Sequence, residues 1–281
     1  MNYKIPALLA AGAAILSYEE NNRLTVSEYR LTFPNLPKAF DGFTIVQLSD
    51  LHNKLFGPSQ RRILKKIQTL EPDVICMTGD LIDRRRTRVT TMEHGLALIR
   101  GCLAMAPVCF VPGNHEAGWR LYPALKTCLS AMGTEVLENR CFPMHRGEED
   151  TLWLAGVPDP KFFGEKRKIG FRAQMMETVD TAKGGFTVLL SHRPERLEEY
   201  GISGADLVLA GHDHGGQFRL PFAGPVFVPN QGFFPPLAQG VHRAGKTVMV
   251  VSRGLGNSVF PQRLLNCPEI VRIVLQSGRK M

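Results

Sequence analysis

Five short apolar runs constrain this chain more than any other feature, because each ends abruptly in carboxylate, carboxamide or imidazole. They are "FTIVQLSD" (43–50), "DVICMTGD" (73–80), "VCFVPGNH" (108–115), "FTVLLSH" (186–192) and "DLVLAGHDH" (206–214). Continuous apolar runs of this length, bounded by glycine and polar turns, read as strands buried on both faces. Between the first three lie helical patterns. "PSQRRILKKIQTLEP" is amphipathic, opened by Pro58 and closed before Pro72, and further helices are expected near "TTMEHGLALIRGCLAM" and "WRLYPALKTCLSAM". Strands alternating with helices bury their apolar faces as packed layers, so the expected class is α/β.

The flanking segments fill in the plan. "LTVSEYRLTF" (24–33) alternates as an edge strand does. "CFPMHRGEEDTLWLAGV" reads as a hairpin whose polar tip spans Gly147 to Asp150, a helix is expected over 169–182, and "KTVMVVSRG" and "EIVRIVLQ" supply late strands. With 281 residues, 44% apolar and 21% charged, the chain can bury a full core, and no shift in composition divides it.

Open α/β sheets place ligands beyond the carboxyl ends of their strands. The five ends are "SDLH" (Asp50, His52), "GDLID" (Asp80, Asp83), "GNHE" (Asn114, His115, Glu116), "SHRPE" (His192) and "GHDH" (His212, His214). A single histidine at a strand end is ordinarily a hydrogen-bonded structural residue, whereas five such ends together indicate a shared site. Mixed imidazole and oxygen donors suit zinc, manganese or iron, while magnesium or calcium would call for more oxygen. The strand ends carry no cysteine, which argues against a structural zinc site. Asp50 and His52, like His212 and His214, stand two apart and can point the same way from an extended segment. Gly79, Gly113 and Gly211 precede candidate ligands where backbone must approach closely.

The ordered set "DLH", "GDLID", "GNHE", "SHRPE", "GHDHGGQ" resembles the calcineurin-like metallophosphoesterase superfamily, over about residues 43 to 220. The N-terminal segment, "ENNRLTVSEY" and "VSRGLGNS" with "PQRLLNCPEI" resemble its bacterial branch of membrane-anchored or exported phosphohydrolases. The resemblance implies a four-layer α/β/β/α sandwich, two sheets flanked by helices, and a dinuclear metal centre of Mn, Zn or Fe. Carried over residue by residue, Asp50, His52, Asp80 and His214 would hold one ion and Asp80, Asn114, His192 and His212 the other. His115 would be the catalytic acid and Asp83 would orient it. Two ions roughly 3.5 to 4 Å apart activate a bridging hydroxide and clamp an in-line displacement at phosphorus. The implied reaction is hydrolysis of a phosphodiester, pyrophosphate or phosphomonoester bond, with branch resemblance pointing to a lipid or cell-envelope substrate. The alternatives are a metal-dependent nuclease, a cyclic-nucleotide phosphodiesterase, or a non-catalytic scaffold of the same fold.

Net charge is +8, a field that favours anionic partners such as phosphorylated small molecules or acidic lipid. The basic run "DRRRTR" (83–88) follows "GDLID", so Arg84 is a candidate phosphate contact, as is Arg193 beside His192. No basic patch is interleaved with aromatics, which argues against nucleic acid. The six cysteines form no CxxC pair and do not fix the compartment.

Residues 1–18 have the layout of a signal or anchor: Lys4, an apolar run from Ile5 to Ser17, then Glu19 and Glu20. A run of this length spans roughly 20 Å as helix, short of the roughly 30 Å hydrocarbon core. Its charges place the catalytic chain outside the membrane or exported, with a cytoplasmic chain as the alternative. The expected organisation is this segment, a linker and edge strand over 19–40, and a catalytic domain over 41–281. In "PNQGFFPPLAQG" (229–240), Phe233 and Phe234 either pack on the core or form an apolar rim. Asp213 is expected to make a local hydrogen bond or to support a neighbouring histidine, and Glu116 is assigned no chemistry.

Overall fold

The computed structural model describes residues 4–147, 150–182, 184–228, 231–257 and 260–278. Helix α1 (Lys4–Asn22) leads into β1 (Thr25–Phe33), β2 (Thr44–Leu48), α2 (Arg61–Gln68), β3 (Val74–Met77), α3 (Glu93–Leu103) and β4 (Val108–Phe110). The one-turn α4 (Asn114–Ala117), α5 (Tyr122–Ala131) and β5 (Glu135–Val136) follow. Next come β6 (Arg140–Arg146), β7 (Asp150–Gly156), α6 (Arg167–Asp180), β8 (Thr187–Leu190), α7 (Leu197–Gly201) and β9 (Leu207–Ala210). Four two-residue strands, β10 (Arg219–Leu220), β11 (Gly224–Pro225), β12 (Phe227–Val228) and β13 (Gly232–Phe233), make two small hairpins. β14 (Gly240–Ala244), β15 (Thr247–Val251) and β16 (Glu269–Ser277) close the chain.

The larger strands form two six-stranded sheets, ordered β1-β16-β2-β3-β4-β5 and β14-β15-β9-β8-β7-β6. Alternation along each strand assigns side chains to layers. In β9, Leu207 and Leu209 face the other sheet while Val208 and Ala210 face α6 and α7. In β3, Val74 and Cys76 join the inter-sheet core, and Ile75 and Met77 meet Ile63, Ile67, Leu98 and Leu125 of the opposite helical layer. The result is a four-layer α/β/β/α sandwich in which every strand of the apolar runs is covered on both faces.

Local signals explain several boundaries. The helix expected from Pro58 to just before Pro72 contracts to α2, because Ser59 and Gln60 adopt left-handed backbone within a 3-10 turn opened by Pro58. The helix expected over 119–132 begins at Tyr122, with Pro123 in its first turn, where a missing amide costs nothing. The 141–157 hairpin pairs Arg146 with Asp150, while tip residues 148 and 149 lie outside the described set. β1 does lie at a sheet edge, but its partner is the final strand, in parallel register from Thr25↔Glu269 to Phe33↔Ser277.

Helix α1 runs through residue 22, and residues 1–3 lie outside the described set. No described helix is long and apolar enough to cross a membrane. Its carboxyl end is fastened to the domain: Ser17 Oγ and Asn21 Nδ2 donate to Gln262 Oε1 at 2.8 and 2.7 Å, and Asn257 Nδ2 donates to Asn21 Oδ1 at 3.0 Å.

Leu209 is wholly buried between the two sheets. Its replacement by alanine leaves a cavity that two rigid sheets cannot close, so Leu209→Ala should lower unfolding free energy by about 2–5 kcal/mol in a denaturant titration.

Candidate metal centre

The parallel strands β2, β3 and β4 of one sheet, and β8 and β9 of the other, end at one rim of the sandwich. There the chain turns sharply enough that Asp50, His52, Asp80, His212 and His214 all take positive φ. Non-glycine residues adopt that backbone at a cost, which the packed strands beneath them sustain. The turns bring Asp50, His52 and His214 together, then His52, Asp80 and His115, then Asp80, His192 and His212, each trio with ligand atoms within 4.8 Å. Asp80 joins two of the trios and His52 also joins two. Asn114 completes the set, its Oδ1 3.3 Å from His192 Nε2.

Burial decides the charges. Asp80 is desolvated, yet His192 Nε2 at 3.4 Å and His52 Nε2 at 3.7 Å hold its carboxyl well below the usual range. His192 is raised in return to about 10, Asp80 overcoming the penalty of burial. Burial pushes His52 down to about 4 and takes His212 and His214 well below the ordinary imidazole value, so these three rings are neutral near pH 7. Burial likewise raises Asp50 to about 6.

Hydrogen bonds behind the rings choose their tautomers. His192 Nδ1 lies 2.7 Å from the Thr78 carbonyl, so it donates there, and Nε2 is the nitrogen turned toward Asp80 and Asn114. His214 Nδ1 lies 3.2 Å from the Gly256 carbonyl. Arg263 Nη2, 3.4 Å from the same nitrogen, already donates to the Gly256 and Arg253 carbonyls, so it has no hydrogen left for the ring. His214 Nδ1 therefore carries the proton, and its Nε2 faces His52 Nε2 at 3.0 Å. His52 Nδ1 is buried without a partner. Bare imidazole nitrogens aimed at shared carboxylates fit divalent cations, and the buried His/Asp groups are consistent with a dimetal site.

Two glycines permit the approach of the strand ends. A Cβ on Gly113 would lie 2.3 Å from Asp80 Oδ1, and one on Gly211 would lie 1.9 Å from Ser49 Oγ and 2.4 Å from Asp50 Oδ2. Any side chain at either position displaces a carboxylate of the centre.

His115 sits beside this group, its backbone amide donating to Asp80 Oδ1 at 2.8 Å. Its Nδ1 meets two different partners: the Arg84 amide donates from 3.1 Å, and Asp83 Oδ1 stands at 3.5 Å. The first contact needs a bare nitrogen and the second a protonated one, so both states of the ring are accommodated. Burial disfavours its charged form, but Asp83 outweighs this and raises His115, while Asp83 falls to about 2. Arg84 bonds to the site through its backbone amide, and its side chain lies over Gly118, near enough to Lys161 to repel its charge. Arg86 folds back toward Asp83 at 3.5 Å.

Arg193 is nearly buried. It is gripped by Asp159 Oδ2 at 2.6 Å and has Nη1 2.8 Å from His212 Nε2. Beside it lies a cavity of about 350 Å³ lined by Asp159, Lys161, Arg193, Glu195, Arg196 and His212. A larger cavity of about 520 Å³ lies at the opposite rim, near Thr187 and Asp206 where β8 and β9 begin.

Sequence reasoning passed over several contributors. Glu116 accepts from the amides of Asp80, Ile82 and Gly113 at 2.9, 3.1 and 2.8 Å, tying the ends of β3 and β4 together. Its place in "GNHE" was visible, but its partners lie across strands. Arg263 is wholly buried and braces the Gly256 carbonyl behind His214; Asn266 Nδ2 donates to the His214 carbonyl at 2.6 Å. Asp213 bonds to Gln231 and to no histidine, its second oxygen buried without a partner.

A family model described as calcineurin-like phosphoesterase matches residues 43–216. An uncharacterized metallophosphoesterase of Bacillus subtilis, YkuE, is 30% identical over 277 residues, covering 96% of this chain and 92% of that protein. A zebrafish transmembrane protein with metallophosphoesterase domain is 30% identical and covers 90% of this chain and 57% of its own length. The UDP-2,3-diacylglucosamine pyrophosphatase LpxG of Chlamydia trachomatis is 27% identical, covering 87% and 88% respectively.

Gly113→Ala, whose Cβ would also meet the Asp80 backbone nitrogen at 2.7 Å, should lower stability and weaken divalent-metal binding of the folded protein about ten- to a hundredfold, by analogy with other displaced ligand supports. Isothermal titration of the metal-stripped protein with Mn²⁺ measures this; unchanged affinity would remove Asp80 from the centre.

Proposed function

The chain belongs to the calcineurin-like phosphoesterase family and is a metal-dependent phosphoesterase, and from that premise we propose that it cleaves a phosphodiester or pyrophosphate bond in a lipid-linked, cell-envelope substrate. The observation that carries the hydrolytic reading is the convergence of three ligand trios on shared Asp80 and His52. In this reading Asp50, His52, Asp80 and His214 hold one ion, and Asp80, Asn114, His192 and His212 hold the second. When bound, such ions supply an activated water and neutralise phosphoryl oxygens.

The remaining chemistry falls to the chain itself. His115 protonates the leaving oxygen, and Asp83 stabilises its charged form and aims the ring. The proton given up is the one on Nε2, and Nδ1 keeps its own toward Asp83 Oδ1 at 3.5 Å, so the neutral ring stays oriented after donation. Arg193, positioned by Asp159, and Lys161 line the adjacent cavity and offer cationic contacts to a second phosphate or a phosphate-linked group. A guanidinium and an ammonium in the cavity beside the centre suit the second phosphate of a pyrophosphate. The lipid-linked class draws on the likeness to the Chlamydia pyrophosphatase and on the exposed aromatic loops beside the centre.

Purified protein supplied with Mn²⁺ should hydrolyse a nucleotide-sugar pyrophosphate or a phospholipid faster than a simple monoester, and chelation should abolish the activity until metal is restored. Preference for a monoester, for DNA or for a cyclic nucleotide would discard the substrate assignment; no turnover of any phosphate ester would discard catalysis. His115→Gln should slow substrates with alkoxide leaving groups by about 10²–10⁴ and nitrophenyl esters far less, since the latter need little protonation. Equal losses on both would assign His115 to something other than acid catalysis.

A further inference from the structure

We propose that the loops flanking the His212–His214 turn, with the end of α1, form a face that docks on the surface of an anionic lipid bilayer. The β10–β11 and β12–β13 hairpins are joined to each other by the Val226 amide donating to the Phe218 carbonyl at 2.9 Å. They are joined to the 260–265 loop by paired bonds between Gln217, Arg219 and Leu264, and by the Phe218–Phe260 ring contact at 4.8 Å. On this connected surface Phe222 is 110% exposed, Phe233 73%, Phe234 56% and Phe260 51%, with Leu264 and Leu265 about half exposed. Water is a poor environment for so much contiguous apolar surface, which marks a binding face.

The backbone adds an independent argument. Phe222 and Phe234 have φ of 64° and 51°, a left-handed conformation that glycine takes freely and a bulky residue does not. Aromatic side chains therefore stand at loop tips where the turn itself favours their absence. An exposure of 110% means that the Phe222 ring projects beyond its surroundings. Projecting rings suit insertion into a deformable surface better than packing against a second rigid one.

Helix α1 and the charges extend the same face. Ser17 and Asn21 bond to Gln262, two residues from Phe260 and from Leu264, and Ile15 and Leu16 on that helix are 64% and 68% exposed. At the end of α1, Arg62 Nη2 donates to the Asn22 carbonyl at 3.3 Å and Lys54 donates to the Asn21 carbonyl. Arg23 stands next in the chain, its side chain 60% exposed and loosely paired with Glu20 at 3.8 Å, whose other oxygen accepts from the Asn266 amide. Apolar tips bordered by exposed arginines, here Arg62 and Arg23, are the pattern of an interfacial, anionic-lipid contact. The face borders the metal centre through the Gln231–Asp213 bond, so docking would present the centre at the headgroup level.

The claim does not depend on the substrate, because binding is read without turnover. Full-length protein is mixed with vesicles of phosphatidylglycerol and phosphatidylcholine, or of phosphatidylcholine alone, and sedimented. Partition onto the anionic vesicles is expected, falling about tenfold or more for Phe222→Ser/Phe233→Ser/Phe234→Ser. Arg23→Gln/Arg62→Gln should weaken partition several-fold on anionic vesicles alone. Undiminished partition of the triple variant would assign binding to α1 by itself and overturn the proposal, as would wild-type protein that ignores vesicles or pairs with a second copy through these rings. Should the triple variant lose its folded circular-dichroism signal, Phe233→Trp reads the same contact: its emission should be quenched by brominated lipid, and an unquenched indole overturns the proposal.

Discussion

The centre depends on keeping Asp80 ionised although it is almost wholly buried. Burial works against that charge, and two imidazoles, a backbone amide and the surrounding field work for it. The same burial keeps His52, His212 and His214 neutral, so a carboxylate stands among bare nitrogens. A donor set of this kind is poised for cations. It also has to be rigid, because buried charges misplaced by an ångström lose their compensation.

Rigidity comes from the layers underneath. Asp50, Asp80 and Asn114 follow strands of one sheet, and His192 and His212 follow strands of the other. Two of the three trios need both sheets: His214 joins Asp50 and His52, and His192 and His212 join Asp80, while His52, Asp80 and His115 follow strands of one sheet. The apolar inter-sheet core, with Cys76, Val111, Leu190 and Leu209 wholly buried, sets the separation of the two rims. Glu116 fixes the turns on one side, and Arg263 with Asn266 fixes them on the other. Stability and function thus share residues at the rim.

The candidate residues were legible because each is delivered by an apolar strand, and strand ends are marked by an abrupt change from aliphatic to polar side chains. The alternation of apolar strands with helices made packed α/β layers legible, while the four-layer order came from the resemblance of the ordered motifs to the phosphoesterase family. Arg263 was not legible. In "PQRLLNCPEI" it looks like an ordinary surface cation, and only the fold converts its surroundings into four carbonyl and carboxamide acceptors. Glu116 was visible beside His115, but its task is to bind amides that lie more than thirty residues earlier as well as its neighbour Gly113. The parallel pairing of β1 with β16 was equally hidden, since no periodicity in either strand names a partner 244 residues away.

Composition, apolar rhythm and strand-end chemistry by themselves determined the fold class, the donor types and a division of the five motifs along the chain. Tertiary structure alone decided which nitrogens of His52, His192 and His214 face the centre, which arginine lines the cavity and which one braces a loop, and which phenylalanines stand in water. The physical reason is that sequence patterns report local preference and burial, whereas tautomer, ionisation and exposure are set by neighbours that meet only after the two sheets have packed.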